Sequence, residues 1–181
     1  MKNIFAKMIS FAGLTLIIFV TAAQNAVMGQ EKEQAEEAQR VSRSSQRQSL
    51  NRIVGVWETT VTPRNCQNGE PLGPAFIGNL TFHKGGTLSE YGANPATPFR
   101  TPGHGVWQAA PWRGEDSYLI NFTFIPLTPA GAPVGRLRVT QTGEYDRYLD
   151  RHSSSGGFQL FNTNGILIGS GCSTAIAARF I

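Results

Sequence analysis

Few side chains in this 181-residue chain are spaced for chemistry, and His104 is the first of them. It stands between Gly103 and Gly105, which let backbone or ligand come close to its imidazole. A single imidazole so placed could ligate a haem iron or act as a base. The plainer reading is that Gly-His-Gly starts a strand and His104 hydrogen-bonds a neighbouring loop, since no partner residue is placed beside it. His83 precedes a Lys-Gly-Gly turn and His152 precedes a Ser/Gly loop, so both read as peripheral. Glu58 and Glu90 could pair with Arg136 or Arg138. The two arginines are two residues apart and share a face; Leu137 and Val139 claim the core, so that face reads as outward. Serines cluster before residue 50 and at Ser153–Ser155, with no Gly-x-Ser-x-Gly elbow. No His-x-x-x-His pair, paired carboxylate cluster or phosphate loop is present. No catalytic residue, metal ligand or cofactor is therefore assigned.

The elements that would hold these residues are strands. Val, Thr and Trp enrich Ile53–Pro63, and Pro63 ends that run. Ala75–His83 follows, with Phe76, Gly78, Leu80 and Phe82 on one face. Lys84-Gly85-Gly86 turns the chain into Thr87–Tyr91. A proline-rich connection over 92–102 leads to Gly103–Ala110. Tyr118–Leu127 is the strongest strand, with Tyr118, Ile120, Phe122 and Phe124 on one face. Val134–Tyr145 alternates, Phe158–Asn162 follows the Ser/Gly loop, and Ile166–Arg179 closes the run. Phe158, Leu160, Ile166 and Ile168 add apolar faces. The connections are short, so sequential strands should pair antiparallel. The expected fold is all-β, an eight-stranded antiparallel up-and-down barrel over 51–181, because closure leaves no edge strand exposed. An open sandwich is the alternative.

Before the strands lies a different composition. Lys2 and Lys7 precede an apolar run from Ile9 to Val20, about a dozen residues, short for a membrane span. Residues 1–23 read as a signal peptide cleaved near 23–29, which places the mature chain in the periplasm or outside the cell with no stable membrane span. Residues 24–50 are charged and polar and read as a flexible linker with a possible short helix. Without Lys2 and Lys7, fourteen basic residues face twelve acidic ones, with no basic stripe, which argues against nucleic-acid binding. Cys66 and Cys172 are an even pair in an exported chain, which favours one disulfide, two free thiols being the alternative.

Gly55-Val56-Trp57 on the first strand resembles the first-strand motif of the lipocalins and their calycin relatives. In that family the tryptophan closes the barrel floor and a basic residue late in the chain covers it. Arg179 stands at that place here. The resemblance implies structural roles for Gly55, Trp57 and Arg179, with the guanidinium lying on the indole face. The chain is similar to a compact bacterial-type member. Arg100-Thr101-Pro102-Gly103-His104-Gly105-Val106-Trp107 resembles a segment of exported proteins of this kind.

These readings point to a monomeric carrier whose barrel holds a small apolar or amphipathic molecule. Phe76, Leu80, Phe82, His104, Ile120, Phe122 and Phe124 are the candidate ligand contacts. Two other classes stay open. One is an isomerase or cyclase on a lipid-like substrate, which needs an inward His104, Glu90 or Glu58. The other is a solid-core envelope module working through its charged arm.

Overall fold

The computed structural model describes residues 32, 34, 36–41 and 52–180. The leader read over 1–23 lies outside the described residues, as do 24–31, 33, 35 and 42–50 of the charged stretch. Residues 36–41 are helical and exposed. No helix among the described residues is long and apolar enough to cross a membrane.

Eight strands follow: β1 (Gly55–Arg64), β2 (Phe76–Phe82), β3 (Thr87–Gly92), β4 (Gly103–Ala109), β5 (Ser117–Phe124), β6 (Gly135–Asp146), β7 (Arg151–Asn162) and β8 (Leu167–Arg179). They close into a barrel in chain order. Every neighbouring pair is antiparallel, including the seam that joins β1 to β8 from Trp57↔Arg179 to Arg64↔Cys172. Alternation produces this arrangement. In β6, Leu137, Val139, Gln141 and Tyr145 are buried while Arg136, Arg138 and Thr140 are exposed. The β2–β3 hairpin turns at Gly85 and Gly86, both at positive φ, where a side chain would be strained.

The largest departure from the sequence reading is β7. The expected Ser/Gly loop before Phe158 is strand, and β7 begins at Arg151. The long β6 pairs along its whole length with it, from Asp146↔Arg151 to Gly135↔Asn162. Ser and Gly have low strand propensity, but cross-strand pairing overrides it here. At the far hairpin, Ile166 and Ile168 are exposed and do not join the apolar interior that Phe158 and Leu160 help form.

The interior is uneven along the barrel. Around the start of β1 it is packed solid by Ile53, Trp57, Phe82, Tyr118, Tyr145 and His152. Toward the end of β1 the inward side chains leave space.

Candidate functional site

The packed end is built on Gly55 and Trp57. Trp57 is fully buried and donates its indole N–H to the Ile53 carbonyl at 2.8 Å. The Arg179 guanidinium lies 4.2 Å from the Trp57 ring centre. Its Nε and Nη2 donate to the Asp150 carboxylate at 2.6 and 3.0 Å, and Nη2 and Nη1 donate to the carbonyls of Arg52 and Val54. Gly55 is needed twice. Its φ is 141°, and a Cβ there would sit 2.6 Å from Arg179 Nη1. Replacing Arg179 with Met keeps the aliphatic cover but removes the cation and its bonds. The expected loss is about 1–2 kcal/mol of unfolding free energy, read from urea denaturation.

His152, read from sequence as peripheral, is instead buried at 2 % exposure. Its ring packs edge-on against Trp57 and Phe82, at 4.8 and 5.5 Å between centroids. Its Nδ1 lies 2.7 Å from the Tyr118 hydroxyl. Burial raises the pKa of that phenol, so Tyr118 keeps its proton and can donate it to Nδ1. Burial, reinforced by the Arg179 charge, lowers the His152 pKa to about 4 and leaves the imidazole neutral at pH 7. Its Nε2 is buried with no hydrogen-bond partner. Tyr118 reaches His152 across β6 because Gly143 lies between them: a Cβ at 143 would come within 2.2 Å of the Tyr118 ring. The signal for His152 was the period-two row His152, Ser154, Gly156, Phe158, which the serine-rich composition hides.

Beyond this plug the barrel encloses a cavity of about 320 Å³. Phe76, Leu80, Ile120, Phe122 and Phe124 line it, and Leu137, Val139 and Leu160 extend the apolar wall. Phe82, expected among the ligand contacts, belongs to the packed end, edge-on to Trp107, Tyr118 and His152. His104 is also corrected. It sits on the exposed face of β4, because strand parity sends Gly103, Gly105 and Trp107 toward the interior side. The glycines beside it serve packing: a Cβ at 105 would meet the Asn121 carbonyl at 2.0 Å, and one at 103 the Glu90 carboxylate at 2.6 Å. An exposed His104 does not supply the inward acid or base that an isomerase reading requires, and Glu58 is exposed as well.

Glu90 faces inward, but its partner is Arg100, not Arg136 or Arg138. The two make a bidentate pair, with the side chains 13 % and 3 % exposed. The Arg100 guanidinium stacks on Phe124, 3.5 Å from the ring centre, and its Nε donates to the Thr101 carbonyl. Burial raises the Glu90 pKa, and Arg100 opposes that shift. Asn94, Ala96 and Thr97 bring the 92–102 connection into the cavity lining beside this pair. Arg136 and Arg138 are exposed and flank Phe161 on the outer surface.

A polar strip missed from sequence crosses the cavity wall. Ser154 Oγ donates to Gln141 Oε1 at 2.8 Å, and Gln141 Nε2 donates to Ser173 Oγ at 2.9 Å. Gln141 can span from β6 to β8 because Gly156 stands between Gln141 and Ser173 in register. A Cβ at 156 would sit 3.0 Å from the Gln141 side chain and 2.2 Å from the Thr140 carbonyl. Cys66 and Cys172 form a disulfide that ties the segment after β1 to the middle of β8. Among the described residues no group of three or more His, Cys, Asp or Glu gathers as a metal site.

No protein-family model matches the chain, and no curated protein does. Among solved structures it is similar to the crystal structure of Rv2717c from M. tuberculosis. The two share 16% identity over 74% of this chain and 96% of that one, with a TM-score of 0.36. What is established of this chain is the closed eight-stranded antiparallel barrel, sealed at one end and hollow toward the other.

Proposed function

We propose that this chain is an exported lipocalin-like binding protein that holds a small amphipathic molecule inside its barrel. The observation that carries the reading is the cavity of about 320 Å³, with aromatic and aliphatic walls and a few converging polar groups. That size lies at the lower end of the roughly 300–1,000 Å³ typical of ligand sites. Binding would come mainly from apolar area removed from water, with the polar groups setting orientation. The Gly-x-Trp motif covered by a late arginine supports a lipocalin-like origin, and the disulfide and the leader read over residues 1–23 support export.

The test is native mass spectrometry on mature protein recovered from an exporting host. The expected result is extra mass that disappears on denaturation. Ala175 on β8 lines the cavity, and Ala175→Phe places a ring in the empty space. This variant should fold and retain at least tenfold less of the bound mass. Undiminished retention would move the binding site out of the barrel, and a clean apo mass that stays clean after challenge with a lipid extract would overturn the reading.

A further inference from the structure

The electrostatics of the cavity narrow what it takes, given the binding reading above. The ionisable side chains that line it are Glu90, Arg100 and His152. Glu90 and Arg100 neutralise each other through two hydrogen bonds, with Arg100 further held by Phe124 and Thr101. His152 is packed against Trp57, engaged with Tyr118 and uncharged at neutral pH. Among the described residues the lining therefore holds no unpaired cation to meet a carboxylate or phosphate. An anion entering this space would lose its hydration without a counter-charge to replace it.

The polar strip offers something different. The chain of donors runs from Ser154 through Gln141 to Ser173, and each step uses an acceptor. Ser173 Oγ accepts the last bond, so its own proton remains available on the cavity wall. Thr59, inward and buried on β1, adds a hydroxyl to the same lining. A hydroxyl proton satisfies a neutral oxygen acceptor without any charge transfer into the interior. An uncharged hydroxyl or carbonyl oxygen suits it, and its apolar body would lie on Phe122, Phe124 and Leu137.

We propose that the cavity selects uncharged amphiphiles, with a hydroxyl or carbonyl oxygen against Ser173 and the Gln141–Ser154 relay, over carboxylates of the same skeleton. The Glu90–Arg100 pair enforces the choice by keeping the buried Arg100 guanidinium occupied. Gly103 is part of the device, since the space of its missing Cβ holds the Glu90 carboxylate.

Calorimetric titration with decan-1-ol and with decanoate at pH 7 tests this. The alcohol should bind at least tenfold more tightly. Ser173→Ala, nearly isosteric, should weaken the alcohol about three- to tenfold. Glu90→Gln should raise decanoate affinity at least tenfold by freeing the Arg100 cation. Thermal unfolding with and without each probe supplies the same comparison if Glu90→Gln is poorly stable. Decanoate binding as tightly as decan-1-ol to the unmodified protein overturns the proposal, as does an alcohol affinity unchanged in both Ser173→Ala and Gln141→Met. If neither probe binds while a native ligand mass is present, this selectivity falls and the binding reading stands. No native mass and no probe binding would remove both.

Discussion

Replacing Cys66 and Cys172 together with serine should lower the unfolding free energy by about 4–5 kcal/mol, the value the chain-entropy relation assigns to a bridge of this span. The two cysteines are 106 residues apart. The bridge lies beside the pairing most remote in sequence, the β1–β8 seam, in which Arg64 pairs with Cys172 and Trp57 with Arg179. Without it, the unfolded chain regains the freedom to separate the two strands that must meet for the barrel to close. Urea titration of the oxidised wild type against the double serine variant measures the effect. The midpoint should fall, and the dependence on urea should steepen because the uncrosslinked chain exposes more surface. An unchanged midpoint would mean that strand pairing alone secures the seam and that the bridge adds nothing to stability.

Acid should weaken the fold through His152 as pH falls below 6.5. His152 has a pKa of about 4 in the folded protein, against 6.5 when unfolded. Above pH 6.5 both states hold it neutral and its contribution is fully present. As pH falls, the unfolded chain takes the proton first, so stability declines through the window from 6.5 down to about 4. The integrated loss is about 3 kcal/mol. Burial is the main cause, with the Arg179 charge adding to it. His152→Gln can still accept from the Tyr118 hydroxyl but does not titrate. Urea midpoints from pH 7 to pH 4 should therefore fall steeply in the wild type and less steeply in His152→Gln. Parallel curves would show that the imidazole is protonated in the fold at little cost.

Two carboxylates carry a pH dependence of their own, and taking the difference between the two proteins cancels whatever part of it falls in this range. Arg179 holds the Asp150 carboxyl below its ordinary range, so the stability it supplies is lost at a lower pH than that of His152. Asp150 is nearly half exposed, so solvent screens that contribution. Glu90 runs the other way. Burial raises its pKa, so its contribution is present at low pH and declines as pH rises through the raised value.

How much was legible in the sequence depended on whether the signal was local. Alternation along the strands is local, and so the all-β class, the strand count and the inward faces of β2, β5 and β6 could be read directly. Phe76, Leu80, Ile120, Phe122 and Phe124 followed from parity alone and stand in the cavity wall. Gly55, Trp57 and Arg179 were found through a motif that records a contact between chain ends.

The rest depended on which residues the closed barrel brings side by side. His104 was attractive because of its flanking glycines, yet those glycines clear Glu90 and the neighbouring β5 backbone. His152 reads as peripheral because serines and glycines follow it, yet that run is strand, paired along its length with β6. Gly143 falls in a run that reads as strand and Gly156 in one that reads as loop. In the barrel they are gaps through which Tyr118 and Gln141 cross a neighbouring strand to reach His152 and Ser173.

Side-chain parity in a strand has a fixed period of two, so residue order alone marks the strands and the composition of their inner faces, and favours a barrel over an open sandwich. Which part of that interior is packed and which is hollow follows from the closed fold. That fold also decided that Glu90 answers Arg100 and that one buried histidine stays neutral. Those outcomes depend on strand register and on space lent by glycines on the neighbouring strands, and no local pattern encodes either.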